Sequence, residues 1–421
     1  MKHMIRFIFV MLTAYFYFGC AKVAFQASPS SQCVNFNSAL GSQSCVMTPD
    51  GLNQYKYSVR VGEVEILFVN DNSASMYVEQ QKIANQFPAF LDSIKDLDYR
   101  IAMITTDVSA SPNNSAGAKN GNGSLWDGKF ISFPGGKSFL SNPAFSNSVH
   151  NSNITAFQNT IQRPETLNCD SNGGCPSSDE RGIYALNMAL DRSENSSFFR
   201  AGGHLAVVIL SDEDERSVAP GEPSAIINRP LNQGLYDLAE YKLKNYDLPL
   251  TFVEKFNQHM DSTKSLSVHS IIIKPKAVKN PDGSVSMTTG DAQGDACKNA
   301  QNAQVNGQGQ AVKGFYGTQY AALSVPSDSM KAAGNIVEGE MGDICANNYT
   351  QQLGPIADKI TGLNFVQLPC EPVLSTVDIK FSPAPNAAIT FDIDPSNASR
   401  IIFTPNVPPG TDVLLDFKCP R

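Results

Sequence analysis

Apolar positions change their period several times along the chain. Val64 to Val69 (VEILFV) is a short apolar run that closes on Asn70-Asp71, as a strand buried on both faces does. From Tyr77 to Leu97, the residues Ile83, Phe87, Phe90, Leu91, Ile94 and Leu97 recur at helical spacing. That predicts a helix, kinked or split at Pro88. Tyr99 to Thr105 (YRIAMIT), Leu205 to Leu210 (LAVVIL) and Leu266 to Ile273 read as further strands. Glu180 to Leu190, residues 236–261 and Tyr349 to Ile360 read as helices. Residues 108–165, rich in Ser, Asn and Gly, and residues 275–316 read as irregular. Strands alternating with helices predict an α/β fold with a doubly wound, mostly parallel sheet covered on both faces. Beyond Cys370 the period falls to two. Val377/Ile379/Phe381, Ile389/Phe391/Ile393 and Val413/Leu415/Phe417 alternate, and Ile401 to Phe403 adds a short run. These predict a small antiparallel β unit, marginal alone at this size.

The start of the chain reads as an address. Lys2 and Arg6 precede an apolar run from Phe7 to Phe18, too short to span a bilayer and of the length of a signal-peptide core. It ends in Gly19-Cys20, which resembles the lipobox of bacterial lipoproteins, with Tyr17 and Phe18 departing from the usual pattern. The resemblance implies export, lipidation of Cys20 and a place in the bacterial cell envelope. Ala21 after the cysteine points to the outer membrane, with contact to the membrane through the lipid anchor only. The expected organisation is a signal peptide over 1–19, a tether with a disulfide loop over 20–60, a main domain over 61–366 and a β-rich unit over 367–421. The main domain carries insertions at 108–176 and 275–316.

Cysteine usage agrees with export. Besides Cys20 there are eight cysteines, which allow 105 pairings. Proximity along the chain suggests Cys33–Cys45, Cys169–Cys175, Cys297–Cys345 and Cys370–Cys419. The net charge of −8 argues against a nucleic-acid binder. Five scattered histidines, without HxxxH or CxxC, argue against a zinc hydrolase.

The chemistry concentrates where strands end. Asp71-Asn72-Ser73-Ala74-Ser75 is a DxSxS pattern at the carboxyl end of the first sheet strand. There one carboxylate and two hydroxyls converge on a point, as hard cations such as Mg2+, Mn2+ or Ca2+ require. On its own such a pattern is more often a helix cap. Here Ser211-Asp212-Glu213-Asp214-Glu215 ends another strand, and Ser178-Asp179-Glu180 opens a helix. The carboxyl edge of a doubly wound sheet is also where such folds bind ligands.

On these residues the chain resembles the von Willebrand factor type A domain, a Rossmann-like fold, and more closely exported bacterial lipoproteins built on it. LFVNDNSASM, YRIAMITTDV, SSFFRAGGHLAVVILSDEDE and GDICANNYTQQLGPIADKI carry the resemblance over roughly residues 60–365. It implies a metal-ion-dependent adhesion site with Ser73 and Ser75 as direct ligands, and with Asp71 and Asp212 bound directly or through water. The Thr of the family's pattern is missing; Ser178 or Glu180 stands in its place. Glu180 would make a third carboxylate and favour Ca2+. An exposed Asp or Glu of a protein partner would complete the coordination, which implies binding rather than catalysis. Two other readings compete: a structural envelope protein with a fold-stabilising metal, and a carboxylate-based hydrolase. No GxSxG, HExxH or Cys/His pair supports the hydrolase. Trp126, alone of its kind, and Phe130 lie in the first insertion and are candidates for partner contact or for anchoring it. Asp107 reads as a turn carboxylate, Asp214 and Glu215 as a solvated acidic loop, and His204 and His269 as structural.

Overall fold

The structure is a computed structural model that describes residues 44–108, 127–143, 145–167, 180–215, 226–227, 240–241, 243, 247–288, 290–304 and 314–420. In chain order, β1 (Ser44–Met47) and β2 (Asn53–Arg60) lead into β3 (Glu63–Asn70), α1 (Tyr77–Ser93), β4 (Asp98–Thr105), β5 (Leu140–Asn142), α2 (Asn147–Ile161), the single turn α3 (Pro164–Leu167) and α4 (Gly182–Asp191). Next come β6 (His204–Leu210), the short pair β7 (Ile226–Ile227) and β8 (Glu240–Tyr241), α5 (Pro249–His259), β9 (Ser265–Ile272), the hairpin β10 (Lys276–Lys279) and β11 (Val285–Thr288), α6 (Ala292–Asn302), α7 (Thr318–Ser324) and α8 (Asp328–Ala333). The chain continues through β12 (Ile336–Val337), β13 (Met341–Asp343), α9 (Thr350–Thr361), β14 (Phe365–Gln367), β15 (Asp378–Ser382), β16 (Thr390–Asp394), β17 (Asn397–Thr404) and β18 (Asp412–Cys419).

The fold is α/β. Its central sheet has the order β12-β9-β6-β3-β4-β5, with β13 also paired to β9. Every pairing is parallel except β4 with the edge strand β5. Because β3 and β6 are buried along their length, their sequences read as continuous apolar runs. Helices cover both faces. Phe87 and Phe90 of α1, Phe157 of α2 and Ile356 of α9 pack on Ile66 and Phe68. Leu186 of α4, Phe252 of α5 and Leu323 of α7 pack on Leu67, Val69 and Val207. After β3 the chain moves outward to β4, and it later returns to place β6 on the other side of β3. This reversal leaves a crevice at the carboxyl ends of β3 and β6, the switch point of the sheet.

Three local expectations are corrected. Pro88 neither splits nor ends α1, which runs through it. The carbonyl of Ala84, left without its helical donor by the proline, accepts the side-chain amide of Gln158 at 2.8 Å. Gln158→Leu should therefore cost about 1–2 kcal/mol by leaving that carbonyl bare. Adding Pro88→Ala should restore most of it, and urea midpoints of the single and double variants test this. The expected irregular stretch 108–165 contains α2, whose Asn- and Ser-rich sequence has poor helix propensity. Packing overrides propensity there: the Phe157 ring stacks on Phe87 with centroids 3.5 Å apart. The stretch 275–316 contains the β10–β11 hairpin and α6.

The C-terminal strands form a two-sheet sandwich together with strands from before the main domain. One sheet has the order β1-β2-β18-β15 and the other β14-β17-β16. Thus residues 44–60, expected to be part of a tether, supply two strands. β2 pairs with β18 from Asn53↔Cys419 to Arg60↔Asp412. Tyr55 and Tyr57 enter the sandwich core with Phe403, Val413, Leu415 and Phe417. The expected Cys370–Cys419 and Cys297–Cys345 bridges are both present. Cys45 is disulfide-bonded, while Cys20, Cys33, Cys169 and Cys175 lie outside the described residues. A cleft of about 200 Å³ separates the sandwich from the amino-terminal end of the sheet, between Arg60, Glu63, His204, Gln367 and Pro408. His204 is structural, bonded through both ring nitrogens to Ser265 and Ser267. His269 shares Ser267 and accepts the N–H of Glu340.

Candidate metal site

β3 ends by releasing Asp71 from the sheet, its N–H still held by the carbonyl of Leu210 on β6 at 3.0 Å. A 3-10 turn, Ala74–Met76, then carries the chain into α1. The turn brings the expected residues together. Asp71 Oδ1 accepts the Ser73 N–H at 2.8 Å, and Oδ2 accepts the Ser211 hydroxyl at 2.7 Å. Ser73 Oγ and Ser75 Oγ are 2.9 Å apart. The Ser75 hydroxyl donates to Asp212 Oδ1 at 3.0 Å. Asp71 and Asp212 are both fully buried, while the two serines remain half-exposed. The acids thus lie buried behind hydroxyls that water partly reaches.

The acids of this group repel one another. Burial pushes the Asp212 carboxyl well above the usual carboxylate range. The charges of Asp71, Glu213 and Glu79 push it the same way, and the Ser75 hydroxyl pulls it down. Asp212 Oδ2 is buried with no hydrogen-bond partner. A buried carboxylate oxygen of this kind is unfavourable unless a cation or a donor meets it. The donor set of two carboxylates and two hydroxyls suits a hard divalent cation.

Several residues that hold the DxSxS turn in place carry no sequence signal. The Gln80 amide donates to the Asp71 carbonyl at 2.9 Å and to Thr166 Oγ1 at 3.1 Å. The Thr166 hydroxyl donates to the Asn72 carbonyl at 2.7 Å. Asn72 donates to Glu165, which Arg163 pairs at 2.9 Å. The short helix α3 therefore props the turn from outside, joined to it by polar contacts across about ninety residues of chain.

Glu180 is buried at the start of α4. It does not assemble with Asp71 and Asp212 into a three-carboxylate cluster. Among the described residues, the only three His, Cys, Asp or Glu ligands whose atoms lie within 4.8 Å of one another are Cys297, Asp343 and Cys345. The two sulfurs of that group are joined in a disulfide and offer no thiolates. Ser178 and Trp126 lie outside the described residues. Phe130 is buried against Phe198, with centroids 5.1 Å apart, so it anchors its segment. Asp107 is buried at the end of β4.

Asp214 and Glu215 are not a solvated loop. Asp214 accepts the Thr318 hydroxyl and the Gln319 N–H at the start of α7. Glu215 accepts the N–H groups of Ile183 and Tyr184 at the start of α4. Burial raises both carboxyls, that of Asp214 to about 6. A carboxyl raised in the folded state favours folding at low pH, and that contribution is lost as pH climbs from about 4 to about 6. At about 1.4 kcal/mol per pKa unit, Asp214 should cost about 2–3 kcal/mol of stability at neutral pH. Asp214→Asn should flatten this part of the profile, read as the difference between urea midpoints at pH 4 and pH 7 in EDTA.

No described helix is long and apolar enough to cross a membrane. No protein family matches the chain, and no curated protein matches it. Among solved structures, it is similar to the open conformation of the pilus adhesin SpaC from Lactobacillus rhamnosus GG, at 11% identity and TM-score 0.32, covering 90% of this chain and 42% of that one. It is similar to the conserved hypothetical protein BatB from Bacteroides thetaiotaomicron, at 10% identity and TM-score 0.29, covering 71% and 97%. A third is the manganese-loaded TRAP protein of Plasmodium vivax, at 10% identity and TM-score 0.26, covering 66% and 78%. The chain thus spans less than half the length of the pilus adhesin.

Proposed function

We propose that this chain is an exported, lipid-anchored binding protein that holds a divalent cation at the carboxyl ends of β3 and β6 and binds an acidic group of a protein partner there. The observation that carries this reading is the buried, unpartnered Oδ2 of Asp212, beside Asp71 and behind two half-exposed hydroxyls. Asp71 and Asp212 supply the negative charge, and Ser73 and Ser75 supply neutral oxygens. With Glu180 outside the carboxylate cluster, Ser178 takes the place of the Thr that the von Willebrand factor type A pattern carries. When bound, the cation supplies an electrophilic position for an outside Asp or Glu, and nothing in this function makes or breaks a covalent bond. Ser211 and Gln80 orient Asp71, so the first ligand is set before any ion arrives. Cys20 carries the lipid, and the outer membrane is the proposed location.

Calorimetric titration of Mg2+, Mn2+ and Ca2+ into the disulfide-bonded mature chain tests this function. Saturable binding of one ion per chain is expected. A folded chain that binds none of the three overturns the reading.

A further inference from the structure

We propose that Glu79 is an affinity-setting residue of the metal site: its carboxylate strengthens cation binding by charge, without coordinating the ion, and Gln301 holds it in place. This role presupposes the metal-binding function above and adds a residue outside the DxSxS pattern.

Glu79 lies in the first turn of α1, four residues after Ser75, and is fully buried. Its Oε1 accepts the side-chain amide of Gln301 at 2.9 Å. The ammonium of Lys82 lies 3.6 Å away and is partly exposed to water, which weakens its compensation. Glu79 Oε2 is buried with no hydrogen-bond partner. A half-satisfied buried carboxylate is unfavourable by itself. It becomes favourable beside a cation, because attraction in a dry interior is screened little.

The structure sets Glu79 four residues past Ser75, beside the site rather than in a carboxylate cluster with Asp71 and Asp212. Through Gln301 and Gly314 it meets the same segment that rests on the Asp212 carbonyl. Yet Glu79, Asp71 and Asp212 do not form a set of ligand atoms within 4.8 Å of one another. The number of nearby carboxylates tunes affinity for hard cations even where some lie outside the coordination sphere.

Gln301 is itself fully buried and reaches Glu79 from a position 222 residues later. Two features seat it. The Cys297–Cys345 disulfide ties α6 to the segment after β13, and the Gln301 amide lies 3.8 Å from Cys345 Sγ. On the other side, Gly314 lies so close that a Cβ there would sit 2.9 Å from Gln301 Cβ and 3.5 Å from the Asp212 carbonyl. The Phe315 N–H donates to that same carbonyl at 2.8 Å. One segment therefore rests on Asp212 and positions Glu79.

The test compares the disulfide-bonded mature chain with Glu79→Gln, Glu79→Asp and Asp71→Ala. Mn2+ and Ca2+ affinities are measured by calorimetry, and melting temperatures are measured in EDTA. Glu79→Gln keeps an acceptor for Gln301 and removes the charge. We expect about tenfold weaker binding, with the metal-free chain melting no lower than wild type, because one like charge near Asp212 is gone. Glu79→Asp keeps the charge and should bind within about threefold of wild type. Unchanged affinity in Glu79→Gln overturns the proposal and leaves the metal site standing. A lower metal-free melting temperature together with weaker binding also overturns it, since that outcome marks Glu79 as merely structural. A wild type that binds no ion removes the metal function itself, and this role with it.

Discussion

Asp71→Ala is expected to abolish saturable Mn2+ binding while leaving the chain folded. Asp71 is the only acid of the DxSxS pattern, and its two oxygens are turned by the Ser73 N–H and the Ser211 hydroxyl. Losing one of the two carboxylates should weaken binding at least about 100-fold, or about 2.7 kcal/mol. The effect on folding should be much smaller because two terms oppose each other. Removing the carboxylate strands a buried hydroxyl and an N–H, at about 1–3 kcal/mol each when nothing replaces the partner. It also removes the charge that repels Asp212 across a desolvated crevice. Calorimetry and a thermal melt in EDTA read the two effects separately. Retained binding would show that Asp71 is no ligand. A chain that unfolds would mark the DxSxS turn as structural, in line with the competing reading of a fold-stabilising site.

Arg181→Met should be the most damaging single change to stability, at about 3–5 kcal/mol. The side chains of Arg181 and Asp247 are both fully buried and meet at 3.1 Å. The guanidinium also lies over the Tyr184 ring, 4.3 Å from its centroid. Methionine fills much of the volume but leaves Asp247 as a buried charge. Asp247 already repels Glu215, whose carboxyl is raised by burial first and by Asp247 second. With Arg181 gone, the repulsion between Asp247 and Glu215 loses the cation that offsets it. The double variant Arg181→Met, Asp247→Asn should recover at least half of the loss, because it removes the charge that Arg181 no longer balances. Urea midpoints of the three chains measure this. A loss below about 1 kcal/mol in Arg181→Met would mean that water reaches the pair.

Both predictions depend on buried charge, and buried charge was the least legible property of the sequence. The runs VEILFV and LAVVIL announced β3 and β6 because a strand covered on both faces must be apolar throughout. The DxSxS turn was legible for a related reason. A strand that ends in acids and hydroxyls places them at the sheet's carboxyl edge whatever the rest of the chain does. Asp214 and Glu215 share the run with Asp212 but do something different: they hold helix N-termini. An acidic run looks alike whether water, a cation or a peptide N–H satisfies it.

By itself, then, the sequence determined the alternation of strands and helices, the acid-and-hydroxyl turn after β3 and the disulfide partners of the C-terminal half. Each of these depends on local periodicity, on the chemistry of a strand end or on short separation along the chain. Tertiary structure alone decided the rest. It recruited β1 and β2 into the sandwich, made a helix of the Asn-rich α2 by stacking Phe157 on Phe87, and set Gln301 against Glu79. It also paired Arg181 with Asp247 out of reach of water. The physical reason is common to all four. A local pattern records which face of an element must leave water, but the partner that satisfies a buried polar group, or overrides a weak propensity, is a distant residue brought there by the fold.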